Sequence, residues 1–298
     1  MGLLKGRLGL ETARIPHVDR HGIVWLERGR LFAQEGNLHF MTQGSPVLGP
    51  GDYTLPFQTV SNILIGPGTL VTHDAMRLMA RHGTGLIAVG EDGIRFYAGM
   101  PFGADDSTLA RSQVRIWSDE HGGRIRAVRR MYGWRLGEVL PYADISVLRG
   151  TEGDRMKTMY RNLAVKYGIR WNGRRYDRNS PELSDLPNQA INHAATAVEG
   201  AAMIAVACTA TIPQLGFIHE QSGNAFCLDI ADLFRDEVTI PVAFAAVAEF
   251  QQKPDLDRNL EKMVRTFAGQ AIQKKKIIPR MIDRIKELFD EHDSGGGY

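Results

Sequence analysis

Residues 85–116, GLIAVGEDGIRFYAGMPFGADDSTLARSQVRI, carry the change of character that decides the fold. Before Pro101 the apolar residues come in short runs, 85–89 and 94–98, separated by Gly90 and Gly93. β-Branched and aromatic residues between glycine breaks read as strands. After a joint at 99–107 the breaks thin out and the apolar positions recur at helical spacing. Upstream, 21–26, 30–34, 37–42, 53–58 and 61–65 repeat the strand pattern, punctuated by Gly36, Gly44-Ser45-Pro46, Gly49-Pro50-Gly51 and Gly66-Pro67-Gly68. Thr72 reads as the N-cap of one short helix over 74–81, stopped by Gly83. Downstream, 107–136, 152–167, 188–210, 241–251, 256–270 and 279–291 read as helices, with a break available at Gly122-Gly123. Residues 177–187 read as a polar loop and 294–297 as a flexible tail. The expectation is an α+β chain. An N-terminal β-rich domain, residues 1–100, precedes a larger all-α C-terminal domain, residues 101–298.

The chain has 298 residues, 43% hydrophobic and 23% charged, which suits a globular protein with a real core and excludes disorder or coiled coil for its bulk. Cys208 and Cys227 are too few for a disulfide framework, which points to a reduced, cytoplasmic setting. The first 16 residues lack the apolar core of a signal peptide. The most apolar run, 201–212, falls short of the ~18 residues that suggest a membrane span and reads as a buried helix. No membrane association is expected.

The net charge of +2 hides a strong asymmetry. Residues 1–100 carry 9 Lys/Arg against 8 Asp/Glu, residues 101–180 carry 16 against 9, and residues 181–298 carry 11 against 17. Fourteen of the 16 cations in the middle block are arginine, whose planar fork matches phosphate oxygens. Such a block is the footprint of a polyanionic partner. The plainer reading, equally open on charge alone, is that Arg124, Arg126, Arg129 and Arg130 solvate a helix face.

Two groups of acids stand out against the pattern. Thr151-Glu152-Gly153-Asp154 fits a capping box and predicts a helix starting at Glu152. Met156, Met159, Tyr160 and Leu163 then line one face, and Glu152 falls on that same buried face. A carboxylate there needs a cation or donors, unless it only complements the helix dipole. Further on, His219 precedes a polar turn, and Asp229 and Asp232 lie i, i+3 on a short helix. An imidazole with carboxylates suits Mg²⁺ or Mn²⁺, although a His–Asp hydrogen bond or an N-cap at Asp229 fits the spacing as well. Hard ligands from separate elements, next to an arginine-rich block, suggest a metal-dependent phosphodiesterase.

Four blocks then occur in order: Leu148-Arg149-Gly150-Thr151-Glu152-Gly153-Asp154-Arg155, Tyr167-Gly168-Ile169-Arg170-Trp171-Asn172-Gly173-Arg174-Arg175-Tyr176-Asp177, Gly216-Phe217-Ile218-His219 and Leu228-Asp229-Ile230-Ala231-Asp232-Leu233. In these the chain resembles the CRISPR-associated Cas1 endonucleases and integrases, in their type I-E form, over about residues 18–270. In the first domain the likeness runs through Gly66-Pro67-Gly68-Thr69, Thr72-His73-Asp74-Ala75 and Val89-Gly90-Glu91-Asp92-Gly93-Ile94-Arg95. The resemblance implies Glu152, His219 and Asp232 as catalytic metal ligands for Mg²⁺ or Mn²⁺, with Asp229 supporting. It implies strand transfer from the 3′-hydroxyl of a double-stranded protospacer into the CRISPR array, and nuclease action where water replaces that hydroxyl. It also implies a homodimer formed through the β domain, two such dimers flanking a dimer of the small partner Cas2. The DNA-contact candidates are Arg77, Arg81, Arg95, Arg149, Arg174 and Arg175, with Tyr176 placed to stack on a base; plain core packing is an equal reading for Tyr176 and Trp171. The pattern departs at Glu220-Gln221-Ser222, where a basic residue is expected, and over 178–186. The Lys274-Lys275-Lys276 run and the helix after it are open to DNA, partner or solvent. The alternative function is a non-catalytic scaffold that captures duplex ends.

Overall fold

The computed structural model describes residues 20, 22–45, 48–99, 107–138, 141, 144–175, 184–252 and 259–290. The expectations for Tyr176, for most of the 177–187 loop, for the start of the 256–270 helix and for the 294–297 tail lie outside these residues. The chain forms two compact units, Met1–Val89 with Tyr97–Ser107, and Gly90–Phe96 with Thr108–Tyr298. Residues 90–96, read from the sequence as part of the strand-rich domain, thus group with the helices.

The first unit is built of short strands. β1 (Gly22–Leu26), β5 (Val60–Ile65), β7 (Gly85–Val89) and β8 (Phe96–Gly99) lie in that order in one sheet. β4 (Gly51–Leu55), β3 (Asn37–Thr42), β2 (Gly29–Gln34) and β6 (Leu70–Val71) form another. β5 pairs in parallel with β1 and with β7, which leaves it no open edge. That explains why VSNILI is buried almost throughout rather than alternating. β3 does alternate, with Leu38, Phe40 and Thr42 inward, and Phe40 sits opposite Leu31 in the antiparallel β2 register. Leu31, Leu38 and Phe40, with Leu26, Phe57, Val60 and Ile63, make one core with Ala75 and Met79. The last two come from α1 (His73–His82), which Thr72 caps by accepting from the Ala75 N–H at 3.3 Å.

The second unit is helical: α2 (Thr108–Ser118), α3 (Gly123–Leu136), α4 (Ile145–Tyr167), α5 (Leu186–Cys208), α6 (Ala225–Asp232), α7 (Ile240–Gln252), α8 (Leu260–Lys274) and α9 (Ile277–Phe289). The chain does break between α2 and α3. Gly122 takes a left-handed φ of 92°, and a Cβ on Gly123 would lie 2.5 Å from the Ile116 carbonyl oxygen. α5 is long and apolar enough to cross a membrane by length and composition, but here it forms the core, packed by α6, α7, α8 and α9. Trp171 stacks on Tyr160 with ring centroids 4.9 Å apart and lies against Phe244.

The start of α4 differs from expectation by seven residues. α4 starts at Ile145, seven residues before Glu152, because the Asp144 carboxylate accepts from the Ser146 N–H at 2.7 Å and caps it there. The capping box at Thr151 does not form. The Thr151 hydroxyl instead donates to the Val147 carbonyl one turn back, as a threonine inside a helix does.

Candidate active site

The site is assembled around the loop that links α5 to α6. A carboxylate placed inside a protein requires donors, and Asp229 on α6 is fully buried. Its Oδ2 accepts from the backbone N–H groups of Phe217, at 2.6 Å, and Ile218, at 3.0 Å. Its Oδ1 accepts from the His219 backbone N–H, at 2.9 Å, and lies 2.7 Å from His219 Nδ1. One side chain therefore shapes three residues of loop and orients the imidazole. The loop can pass this close only because of Gly216, where a Cβ would lie 2.3 Å from the His219 carbonyl oxygen. From outside, Arg149 donates to the Ile218 carbonyl, and Arg124 donates to the Phe217 carbonyl at 2.9 Å and pairs with Glu220.

An ionised carboxylate only accepts, so the Asp229 contact places a ring proton on Nδ1, and in the neutral ring the Nε2 lone pair then points outward. Nε2 lies 3.9 Å from Asp232 Oδ2. Asp229 and Asp232 thus take opposite edges of one ring, Asp229 sealed in and Asp232 partly open. The hydrogen bond to Asp229 raises the His219 pKa above its ordinary value; burial opposes it, and the charges of Asp229 and Asp232 add to it. No N-cap forms at Asp229, since α6 begins four residues earlier.

Glu152 lies on the inner face of α4, as its spacing predicts, with 18% of its side chain exposed. Its carboxylate is taken by Arg135 of α3, Nη2 to Oε1 at 2.8 Å. The same nitrogen lies 3.3 Å from Asp236. Glu152 and Asp232 both act on the buried Tyr132 hydroxyl, whose pKa is pushed up to about 12, first by burial and then by these charges. Arg235 lies 3.5 Å from Asp232 and donates to the Tyr160 hydroxyl at 3.1 Å. Burial works against its charge, but Tyr160, Asp232 and Glu152 outweigh burial and raise its pKa. Glu199 of α5 completes the surroundings: burial, then Asp232, raise its carboxyl above the usual range, with His219 and Arg235 opposing.

The donor chemistry fits a hard divalent cation. Imidazole nitrogen and carboxylate oxygen face each other at His219 and Asp232, and both cysteines are buried thiols pushed up to about 12 by burial. Among the described residues, however, no group of three or more His, Cys, Asp or Glu side chains is gathered closely enough to hold a metal ion. The third carboxylate, Glu152, is on Arg135.

The other sequence candidates are spread out. Arg77 and Arg81 are exposed on α1, Arg77 paired with Asp74 at 2.9 Å. Arg95 is paired with Glu261 at 2.7 Å. Arg174 is tied to Asn188 and Asn192, at 2.9 and 2.7 Å, and Arg175 is exposed. Within the arginine block, Arg126 pairs with Asp119 and Arg130 lies over the Trp134 ring. Sequence reading missed Arg135, Tyr132, Glu199 and Arg235. Glu199 carried a usable signal, as the one acid in the 23-residue apolar helix α5. The others had none, because their roles depend on which helices meet.

A profile of the family described as CRISPR associated protein Cas1 matches residues 123–265, which span the site. The CRISPR-associated endonuclease Cas1 of Geobacter sulfurreducens is 35% identical over 278 residues, covering 92% of this chain and 86% of that protein. Its counterpart from Escherichia coli is 33% identical, covering 92% and 87%. Among solved structures, that of the TtCas1–DNA complex superposes with a TM-score of 0.81 at 30% identity, over 92% of this chain and 98% of that one. A casposase bound to its integration product shares the fold, with a TM-score of 0.64 at 13% identity over 90% and 95%.

Proposed function

This chain belongs to the CRISPR-associated Cas1 family, and on that premise we propose that it is a divalent-metal-dependent DNA nuclease and integrase of CRISPR adaptation. The observation that carries the proposal is the His219 ring, gripped on Nδ1 by a sealed Asp229 and presenting Nε2 to Asp232. A histidine fixed in this way by a buried carboxylate is how a protein prepares an imidazole ligand. His219, Asp232 and Glu152 would hold Mg²⁺ or Mn²⁺. When bound, such an ion lowers the pKa of an attacking hydroxyl and neutralises charge on the phosphoryl oxygens.

The chain's own residues supply the rest. Asp229 keeps the imidazole in one tautomer, and Arg149 braces the loop through the Ile218 carbonyl. Arg135 and Arg235 keep a low-dielectric carboxylate cluster near neutrality. In strand transfer the 3′-hydroxyl oxygen of a protospacer forms a bond to a phosphorus of the CRISPR array, and that phosphorus releases the 3′-oxygen it held. With water as nucleophile the same displacement is cleavage. The TtCas1 chain was solved with DNA, and the exposed arginines here suit backbone contacts that do not read sequence. A homodimer through the β-rich unit, two of which flank a Cas2 dimer, completes the proposed assembly, working in the cytoplasm.

A second reading, a non-catalytic scaffold for duplex ends, has one observation in its favour: Glu152 is paired with Arg135. A strand-transfer assay on supercoiled CRISPR-array DNA separates the two, run with and without Mg²⁺ or Mn²⁺ and Cas2. The enzyme reading expects metal-dependent product that Asp232→Ala abolishes while duplex capture persists. Product that survives Asp232→Ala, or never appears with metal and Cas2, refutes it.

A further inference from the structure

We propose that Arg135 is a positioning residue that serves as the resident counter-cation of Glu152, holding the carboxylate when no divalent ion is bound and releasing it for ion binding. The inference rests on the metal-centre reading of Glu152, His219 and Asp232 given above.

The geometry at Arg135 is unusual for a buried arginine. Its side chain is 4% exposed, yet among the described residues its polar contacts all run through one nitrogen, Nη2: Glu152 at 2.8 Å, Asp236 at 3.3 Å and the Met156 sulfur at 3.0 Å. Among the described residues its buried Nε–H has no hydrogen-bond partner. Arginine–carboxylate pairs built for strength are frequently bidentate, through two parallel N–H donors. Here Glu152 is held by a single point, with a donor left over, which is a contact suited to exchange. Asp236 supplies the other half of the device. It already faces Nη2 and is itself partly exposed, so the guanidinium keeps a counter-charge after Glu152 leaves. A buried arginine without that fallback would oppose the exchange strongly. Meanwhile His219 and Asp232 already face each other, so Glu152 is the one ligand that must move.

The test is Mn²⁺ affinity of the full-length protein, read from the electron paramagnetic resonance of free Mn²⁺. Arg135→Met removes the competitor. Arg135→Lys keeps its charge but loses the planar fork and the reach of Nη2. Each is expected to tighten Mn²⁺ binding by about tenfold, the low end of the coupling between close charge pairs. Asp236→Asn frees Arg135 to hold Glu152 harder and is expected to weaken Mn²⁺ binding about threefold. An unchanged Mn²⁺ Kd in Arg135→Lys beside a tightened one in Arg135→Met reduces Arg135 to a field effect and overturns the proposal. Should neither Arg135 variant fold, an unchanged Kd in Asp236→Asn overturns it. A wild-type protein that binds no Mn²⁺ overturns this inference together with the metal reading. Binding wild type with indifferent variants overturns this inference alone.

Discussion

Replacing Asp229 by Asn tests the site at its most constrained atom. The carboxylate accepts four hydrogen bonds, two on each oxygen, and none of it reaches solvent. An amide can replace only one oxygen's acceptance. With its NH₂ toward Phe217 and Ile218, two backbone N–H groups face donors. With its NH₂ toward His219 the cost is smaller, because the imidazole can move its proton to Nε2 and accept at Nδ1. One backbone N–H, that of His219, is then still stranded. A buried donor without a partner costs about 1–3 kcal/mol, and the two surviving bonds lose their charge assistance, so the total is about 2–4 kcal/mol. The cost is measured as the loss of unfolding free energy in urea. The tautomer is read separately from the imidazole ¹⁵N shifts, where His219 should change from the Nδ1–H to the Nε2–H form. With Nε2 protonated, Mn²⁺ binding should fall by more than the lost stability explains. An Asp229→Asn protein within about 0.5 kcal/mol of wild type, the range of an ordinary surface substitution, would show that the four bonds do not organise the loop. An unchanged tautomer would sink the account of how the ligand is prepared.

Other outcomes are expected from particular contacts. Gly216→Ala drives a Cβ to 2.3 Å from the His219 carbonyl and 2.8 Å from Ala225, so it should destabilise by about 1–3 kcal/mol and reduce cleavage, as thermal melts and a nuclease assay would reveal. His219→Ala and Glu152→Ala should abolish strand transfer while leaving a folded protein that still shifts duplex DNA in a gel; loss of duplex capture with normal folding would count against separate roles. The Glu237 carboxylate is held below its usual range chiefly by its bonds to Arg280, at 2.8 Å each, on α9. A depressed acid stabilises above its unfolded value and loses that stabilisation as pH falls through the folded one. The melting difference between wild type and Arg280→Ala should therefore be full above pH 4.5 and shrink below it. The pair is partly exposed, so the difference should stay under about 1 kcal/mol. A gap that widened on acidification would contradict the pairing. Finally, duplex affinity should drop steeply between low and moderate salt, the slope of log K against log salt counting the phosphates contacted.

Features that depend on near neighbours were legible along the chain. Glycine breaks and short β-branched runs marked the strands, long apolar periods marked the helices, and Pro101 lay at the change between them. Glu152 was placed on the inner face of its helix by spacing alone, although the helix start was wrong. Thr151 offered a good cap seven residues downstream of the one that forms, and local chemistry cannot choose between two available caps when packing decides. The Asp229 and Asp232 spacing left three readings open. Only the tertiary structure assigned Asp229 to Nδ1 and Asp232 to Nε2, because the loop that brings His219 back over α6 is closed by long-range backbone donors. Arg135, Tyr132 and Arg235 became visible only once α3, α4, α6 and the π-helical turn at Arg235–Thr239 were packed together. Their function lies in charges meeting across the core, and such meetings are fixed by how helices pack in space, which no local pattern along the chain encodes.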